Sequence, residues 1–333
     1  QMTPKDICDY LQNLASNNVF NSLMIWGAPG IGKSSIVAKI AKDNDLDLVD
    51  LRLSQLSPTD LRGLPGVEDG KSKWYVPEFM PTKGAGILFL DEINMAPPAM
   101  QGVAQQLILD RKIGNYTVPK NWFVWAAGNR KEDKAAVFQM PSALSNRFIH
   151  LTIDPDWKSF NDWGLSNGIS EQILAFLSFR PALLHKIDAN SPAWPSPRSW
   201  AAADNLFRAG LTIEPAVGHV GAEFDAYTAI YSSLPDFQRI LDGKSKDKFP
   251  EEPSKRYAIV TGLSIRIDTP ERAVNSLLWL LPRVDSEWLQ LMVTSLFPLL
   301  RSKGIFADFV KLALKEKELM DRIKHIQDII YTV

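Results

Sequence analysis

Residues 23–34 read Leu23-Met24-Ile25-Trp26-Gly27-Ala28-Pro29-Gly30-Ile31-Gly32-Lys33-Ser34. A short apolar run ends in a loop holding three glycines. From Ser34 onward Ile36, Val37, Ile40 and Ala41 recur at helical spacing, with Lys39 and Lys42 on the other side. The order is therefore buried strand, glycine-rich loop, helix. Positions 27–34 satisfy the pattern G-x-x-x-x-G-K-[ST] in full, in the strand–helix context its mechanism requires. Glycines let backbone N–H groups curl around phosphate oxygens without Cβ clashes, and the helix N-terminus adds partial positive charge. Lys33 is placed to reach the terminal phosphates of ATP and Ser34 to ligate Mg2+. The candidate nucleotide-binding residues are Gly27, Ala28, Pro29, Gly30, Ile31, Gly32, Lys33, Ser34 and the adjoining Ser35. The plain alternative is a glycine-rich turn with no ligand.

Further strands are predicted at Leu48–Leu51, Gly86–Leu90, Trp122–Ala126 and His150–Ile153, with a helix over Pro98–Leu109. The runs GILFL and WFVWA are apolar almost throughout, as strands covered on both faces of a parallel sheet are. Alternating strands and helices of this kind make the first half a doubly wound α/β domain. Asp91 and Glu92 follow the third run directly, at the carboxyl end of a strand, where open α/β sheets bind ligands. Asp91 is a candidate for the Mg2+ shell and Glu92 for the general base that activates water. An acidic pair capping the next helix is the structural alternative.

With 333 residues and 45% apolar content, two domains with real cores are expected. Lys plus Arg (37) nearly balance Asp plus Glu (38), which disfavours long-range attraction to nucleic acid or anionic membranes. One cysteine, Cys8, and 4 histidines exclude an internal disulfide and a zinc-type cluster. No apolar run approaches the ~20 residues that span a bilayer, and the first residues lack a charged start followed by an apolar stretch. A cytoplasmic, soluble protein is the expectation. Beyond Asp154 long amphipathic segments predict helices at Ser170–Phe179, Ser199–Ala209, Ala222–Ser233, Glu271–Leu281, Glu287–Leu300 and Phe306–Ile329. The boundary is predicted near 155–170, and Asp242–Arg256, rich in charge and proline, is read as an exposed loop.

The order of motifs resembles the AAA+ superfamily of P-loop ATPases, and its detail resembles the MoxR branch of the helix-2-insert clade. The resemblance covers roughly residues 20–210. Beside GAPGIGKS and ILFLDEIN it includes Asp60-Leu61-Arg62-Gly63, Ala127-Gly128-Asn129, the stretch ALSNRF from Ala143 to Phe148, and Ser196-Pro197-Arg198. It implies that Asn129 is sensor 1, Arg147 the finger presented to a neighbouring subunit's ATP, and Arg198 the sensor-2 arginine of a helical lid. It also implies a hexameric ring and a partner protein with a von Willebrand factor A domain. Two departures stand out: Asp110–Pro119 is a more compact hairpin candidate than is usual before sensor 1, and residues after about 240 match no motif of the family.

Each carried-over role has a bland rival. Asn129 could cap a turn, and Arg147 could pair with an acidic neighbour. Ser196-Pro197 reads as N-cap and N1, so Arg198 in the first turn opposes the helix dipole, which an anionic ligand would explain. Gly66–Pro77, with Asp69-Gly70 as a turn between two short strands, resembles the clade's helix-2 insert. Trp74 and Tyr75 there either grip a substrate or pack on their own domain. The expected organisation is a nucleotide-binding subdomain at 1–160, a helical lid at 161–240 and a helical extension at 241–333. The expected function is ATP-driven remodelling of a partner protein. The rivals are a DNA- or RNA-acting motor and a low-turnover nucleotide switch.

Overall fold

The computed structural model describes residues 1–133, 138, 140, 142–231 and 233–331. They form two compact units, one made of Gln1–Ser159 with Ile187–Asn190 and Ser196–Arg198, the other of Phe160–Lys186, Ser191–Pro195 and Ser199–Val333.

The first unit runs α1 (Pro4–Ser16), β1 (Leu23–Trp26), α2 (Lys33–Asp43), β2 (Asp47–Arg52), α3 (Pro58–Arg62), β3 (Leu64–Glu68) and β4 (Lys71–Tyr75). It continues through β5 (Gly86–Asp91), α4 (Pro98–Leu109), β6 (Lys112–Ile113), β7 (Tyr116–Thr117), β8 (Trp122–Gly128), α5 (Ser142–Ser145) and β9 (Ile149–Thr152). Five strands make one parallel sheet in the order β2-β5-β8-β1-β9. Leu23 and Ile25 face one layer with Ile7, Leu11, Val37 and Ile40 of α1 and α2. Met24 faces the opposite layer with Met100, Val103 and Leu107 of α4. Because both faces are covered, β5 and β8 are buried at every position, which is why those runs lack polar alternation. The predicted α/β class is the one observed.

The order places β8 between β1 and β5, so the loops leaving their carboxyl ends are neighbours. Two small antiparallel hairpins, β3–β4 and β6–β7, lie outside the main sheet. Asp69 (φ 52°) and Gly70 (φ 70°) turn the first one with left-handed backbone at both positions, as a two-residue hairpin loop demands.

In the second unit the helices are α6 (Trp157–Ser166, which starts in the first), α7 (Glu171–Phe179), α8 (Pro197–Arg208, whose first two residues belong to the first unit), α9 (Glu214–Val217), α10 (Val220–Tyr231) and α11 (Phe237–Leu241). They are followed by α12 (Pro253–Arg266), α13 (Pro270–Leu280), α14 (Ser286–Ser302), α15 (Phe306–Ala313) and α16 (Lys317–Tyr331). Leu263, Leu277, Leu280, Met292, Leu296 and Phe309 anchor its core.

Three sequence readings need correction. The single helix over Phe306–Ile329 is two, because Phe309 and Ala313 on one side and Leu319 and Ile323 on the other are out of phase for one straight helix. Continuing without a break would bring Glu316 or Lys317 inward. The stretch Asp242–Arg256 is less of an open loop than its composition suggests. Phe249 packs with its ring centroid 6.1 Å from those of Trp279 and Trp288, the Arg256 guanidinium lies over Phe249, and α12 begins at Pro253. Finally, α1 carries a capping box, with Asp6 N–H donating to Thr3 Oγ1 (3.1 Å) and Thr3 N–H to Asp6 Oδ2 (3.0 Å), at a place where no helix was predicted.

Candidate functional site

The loop from Gly27 to Gly32 joins β1 to α2 at the carboxyl edge of the sheet. Gly30 (φ 78°) and Gly32 (φ 96°) take left-handed backbone that L side chains rarely adopt. A Cβ on Gly30 would lie 2.8 Å from Ser196 Oγ, and one on Gly27 2.4 Å from the Ile31 side chain. The loop is therefore wedged from both ends, whereas a Cβ on Gly32 would meet nothing within 4 Å. Gly32 precedes α2 without a side-chain cap, so no side chain competes for the N–H groups of the first turn.

Three residues converge at the start of α2. Lys33 is 9% exposed, and its ammonium donates to Gly27 O (2.8 Å), Ala28 O (3.0 Å) and Asn129 Oδ1 (2.9 Å). Burial pulls its pKa down to about 8, against the attraction of Asp91 and Asp133. Ser34 Oγ donates to Asp91 Oδ2 (2.7 Å), while the other oxygen of Asp91 accepts the N–H of Glu92 (2.8 Å). The Ser34 hydroxyl and the Asp91 carboxylate are hard oxygen donors side by side. That set suits Mg2+, which is held by one or two protein ligands with water and phosphate completing its shell.

Glu92 has φ 56°, which is costly for a residue with a side chain and is found where surrounding structure enforces it. Its Oε2 accepts a short hydrogen bond from Ser54 Oγ, in the turn that follows β2. Asn129 follows β8. Its backbone is bracketed by Asn94, which is buried: Asn94 Nδ2 donates to Asn129 O (2.7 Å) and Asn94 Oδ1 accepts from Asn129 N–H (3.1 Å). The Asn129 side chain thus points at Lys33. Arg130, next in the chain, is clamped by both oxygens of Asp133 (2.9 and 3.0 Å) and by Asp154 (2.6 Å), which raises its pKa and fixes the loop after β8.

Of the residues singled out in the sequence, the structure brings together Gly27, Ala28, Lys33, Ser34, Asp91, Glu92 and Asn129. Arg198 opens α8, and its N–H donates to Gly30 O (3.1 Å), so the chain at Ser196–Arg198 borders the loop while the guanidinium is exposed. Arg147 stands apart. It is exposed on the turn between α5 and β9 and forms no ion pair among the described residues. Ser54, Asn94 and Arg130 were missed in the sequence. For Asn94 a signal existed, three residues beyond Asp91 in ILFLDEIN; for Ser54 none did.

Residues 22–148 match the family model of the AAA domain, dynein-related subfamily. Midasin of Giardia intestinalis is 25% identical over 156 residues, which are 44% of this chain and 3% of that protein, so the chain spans a small part of that relative's length. Among solved structures, NtrX of Brucella abortus in complex with ADP is 16% identical, covering 89% of this chain and 67% of its own, with a TM-score of 0.41. A RuvB variant of Thermotoga maritima is 18% identical, covering 72% of this chain and 73% of its own, with a TM-score of 0.39. Among the described residues no helix is long and apolar enough to cross a membrane.

Proposed function

We propose that the chain is a MoxR-like AAA+ ATPase that hydrolyses ATP with Mg2+, working as a hexameric ring that remodels a partner protein. The observation that carries the reading is the meeting of Lys33, Ser34, Asp91, Glu92 and Asn129 at the carboxyl ends of β1, β5 and β8. In this reading Gly27–Ser35 cradle the phosphates, Lys33 turns from the loop carbonyls to the terminal phosphates, and Ser34 and Asp91 hold Mg2+. Bound Mg2+ supplies positive charge that offsets the charge building up on the phosphate oxygens. Glu92 takes the proton of the attacking water, Asn129 orients that water, and Arg198 lies against the phosphates from the start of α8. Arg147, exposed and without an ion pair among the described residues, serves the next subunit's site.

Residues 161–240 are proposed as the lid and residues after about 240 as a partner-binding extension. The MoxR resemblance adds a partner carrying a von Willebrand factor A domain. On the β3–β4 hairpin Leu64 and Val67 are 72% and 81% exposed and Tyr75 52%, while Trp74 lies beside the β6–β7 turn at Gly114. Tyr75 rather than Trp74 is thereby the residue offered to a substrate. A second reading, a switch with low basal turnover, is favoured by the Ser54 bond, which holds the Glu92 carboxylate toward β2.

The test is a pair of variants. Lys33→Ala weakens nucleotide binding, whereas Glu92→Gln keeps binding and stops hydrolysis. Half or more of the wild-type turnover in Glu92→Gln, with contaminating ATPase excluded, removes Glu92 from the base role.

A further inference from the structure

We propose that His150 is a positioning residue that ties the strand feeding the phosphate loop to the turn carrying Arg147. The proposal rests on the reading of Arg147 as the group offered to a neighbouring subunit. β1 and β9 are parallel neighbours with Met24 opposite His150 and Trp26 opposite Thr152, so the side chains of Trp26 and His150 share one face of the sheet. Trp26 Nε1–H donates to His150 Nδ1 (2.8 Å), and His150 Nε2 lies 2.7 Å from Ser145 O. An indole N–H only donates and a carbonyl only accepts. Both partners are satisfied by the tautomer that accepts at Nδ1 and donates at Nε2.

Among the described residues the segment this ring holds is otherwise tied by Asn146 N–H donating to Ser142 O (3.0 Å) and, where β9 begins, by Ile149 N–H donating to Ser22 O (2.9 Å). α5 spans four residues, too short to be stable on its own. The turn after it is pinned on the inner side by Phe148, which is buried, and by Phe148 N–H donating to Ser145 O (3.3 Å). On the outer side it borders an open cavity of about 420 Å³ lined by Met140, Ser142, Ser145, Asn146, Phe148 and His150. Among the described residues Phe148 supplies the buried contact of this turn, and the bond from His150 to the Ser145 carbonyl ties down the segment that carries Arg147. At the other end of the bridge, Trp26 immediately precedes Gly27, whose N–H donates to Gly128 O (3.3 Å) next to Asn129. A continuous path of two side chains and one carbonyl therefore runs from the phosphate loop of a subunit to its own Arg147. A shift of the loop on nucleotide binding is passed to the arginine that serves the neighbouring site.

Spatial continuity alone does not establish coupling, and a double-mutant cycle does. His150→Gln keeps a donor for Ser145 and gives up the acceptor for Trp26; His150→Asn does the reverse; Trp26→Phe removes the indole donor while keeping an aromatic ring against the sheet. Fluorescent-ADP affinity, KM and kcat are measured at a protein concentration where turnover has reached its plateau. Each single variant is expected to lower kcat about fivefold, the loss of one hydrogen bond, with KM and ADP affinity near wild type. Trp26→Phe combined with His150→Gln is expected to be no worse than the more severe single variant, and neither adds a loss in an Arg147→Ala background. Wild-type kcat in the single variants, or losses that multiply in the double variant, overturns the bridge. If the His150 variants do not fold, Trp26→Phe alone decides by the same kcat criterion. Full turnover in Arg147→Ala would instead remove the reading of Arg147, an outcome distinct from failure of the bridge.

Discussion

Raising the pH from 7 to 9 should weaken nucleotide binding about tenfold, and the reason lies in one ammonium group. Lys33 is nearly sealed from water and donates to two loop carbonyls and Asn129. Burial lowers its pKa from 10.5 to about 8; Asp91 and Asp133 oppose the shift, and Arg198 and Arg130 add to it. Without nucleotide, roughly nine-tenths of Lys33 is charged at pH 7 and roughly one-tenth at pH 9. Phosphate oxygens take up the charged form, so the apparent Kd rises as pH passes 8, up to tenfold per unit. The same group leaves a mark on stability. Between about 8 and 10.5 the unfolded chain keeps a proton that the folded chain has lost, so the nucleotide-free protein gains stability as pH rises through that window. The gain is about 3 kcal/mol relative to Lys33→Met, which has no proton to lose, and below pH 8 the difference between the two proteins is flat. Fluorescent-ADP titrations at pH 7, 8 and 9, with Lys33→Ala as the control for titration of the nucleotide, measure the first effect, and urea unfolding of wild type and Lys33→Met the second. An affinity that does not change with pH, or changes identically in Lys33→Ala, would falsify the assignment of Lys33 as the titrating phosphate ligand.

Two further perturbations act elsewhere in the chain. Ser54→Ala frees the Glu92 carboxylate from β2 and should raise basal ATP turnover about fivefold, the equivalent of one hydrogen bond; unchanged turnover in a steady-state phosphate-release assay would show that the bond does not restrain Glu92. Phe249→Ala removes the ring held between Trp279, Trp288 and Arg256 and should cost about 2 kcal/mol, less than a fully buried aromatic does; a change within about 0.5 kcal/mol in chemical denaturation would return 242–256 to an open loop.

The residues proposed to carry phosphate chemistry were legible because they are contiguous. Gly27–Ser34 and Asp91-Glu92 each occupy one short stretch after an apolar run, and the sheet order only had to bring the two stretches side by side. What supports them was not legible. Ser54 reaches Glu92 from the end of β2 with no local pattern to mark it, and Asn94, although it sits in the ILFLDEIN stretch, closes on the Asn129 backbone across 35 residues, a contact that only the fold shows. Among the helices the failures have separate causes. For α1 the signal lies in the sequence: Thr3 and Asp6 box its start, and Ile7, Leu11 and Leu14 recur at helical spacing ahead of the strand–loop–helix stretch that dominates the reading. The break at Leu314–Glu316 contains no glycine or proline, and it shows only in the phase of the buried residues on either side. Phe249 looks like one aromatic in a charged loop until Trp279 and Trp288 are folded against it.

The proposal that hydrolysis is shared between subunits is tested most directly by mixing two inactive variants. Arg147→Ala subunits keep their phosphate loop but lack the exposed arginine, and Lys33→Ala subunits keep the arginine but lack the ammonium proposed to bind the phosphates. An arginine acting in trans completes a site only where subunits pack head to tail, a contact that closes into rings. The measurement is ATP turnover of the mixture against that of each variant alone, across a range of protein concentrations. The account predicts partial recovery of activity on mixing, rising with concentration, together with a species several times the monomer mass by light scattering with ATP and Mg2+. No recovery at any ratio, from a strictly monomeric protein whose specific activity is independent of concentration, would contradict it.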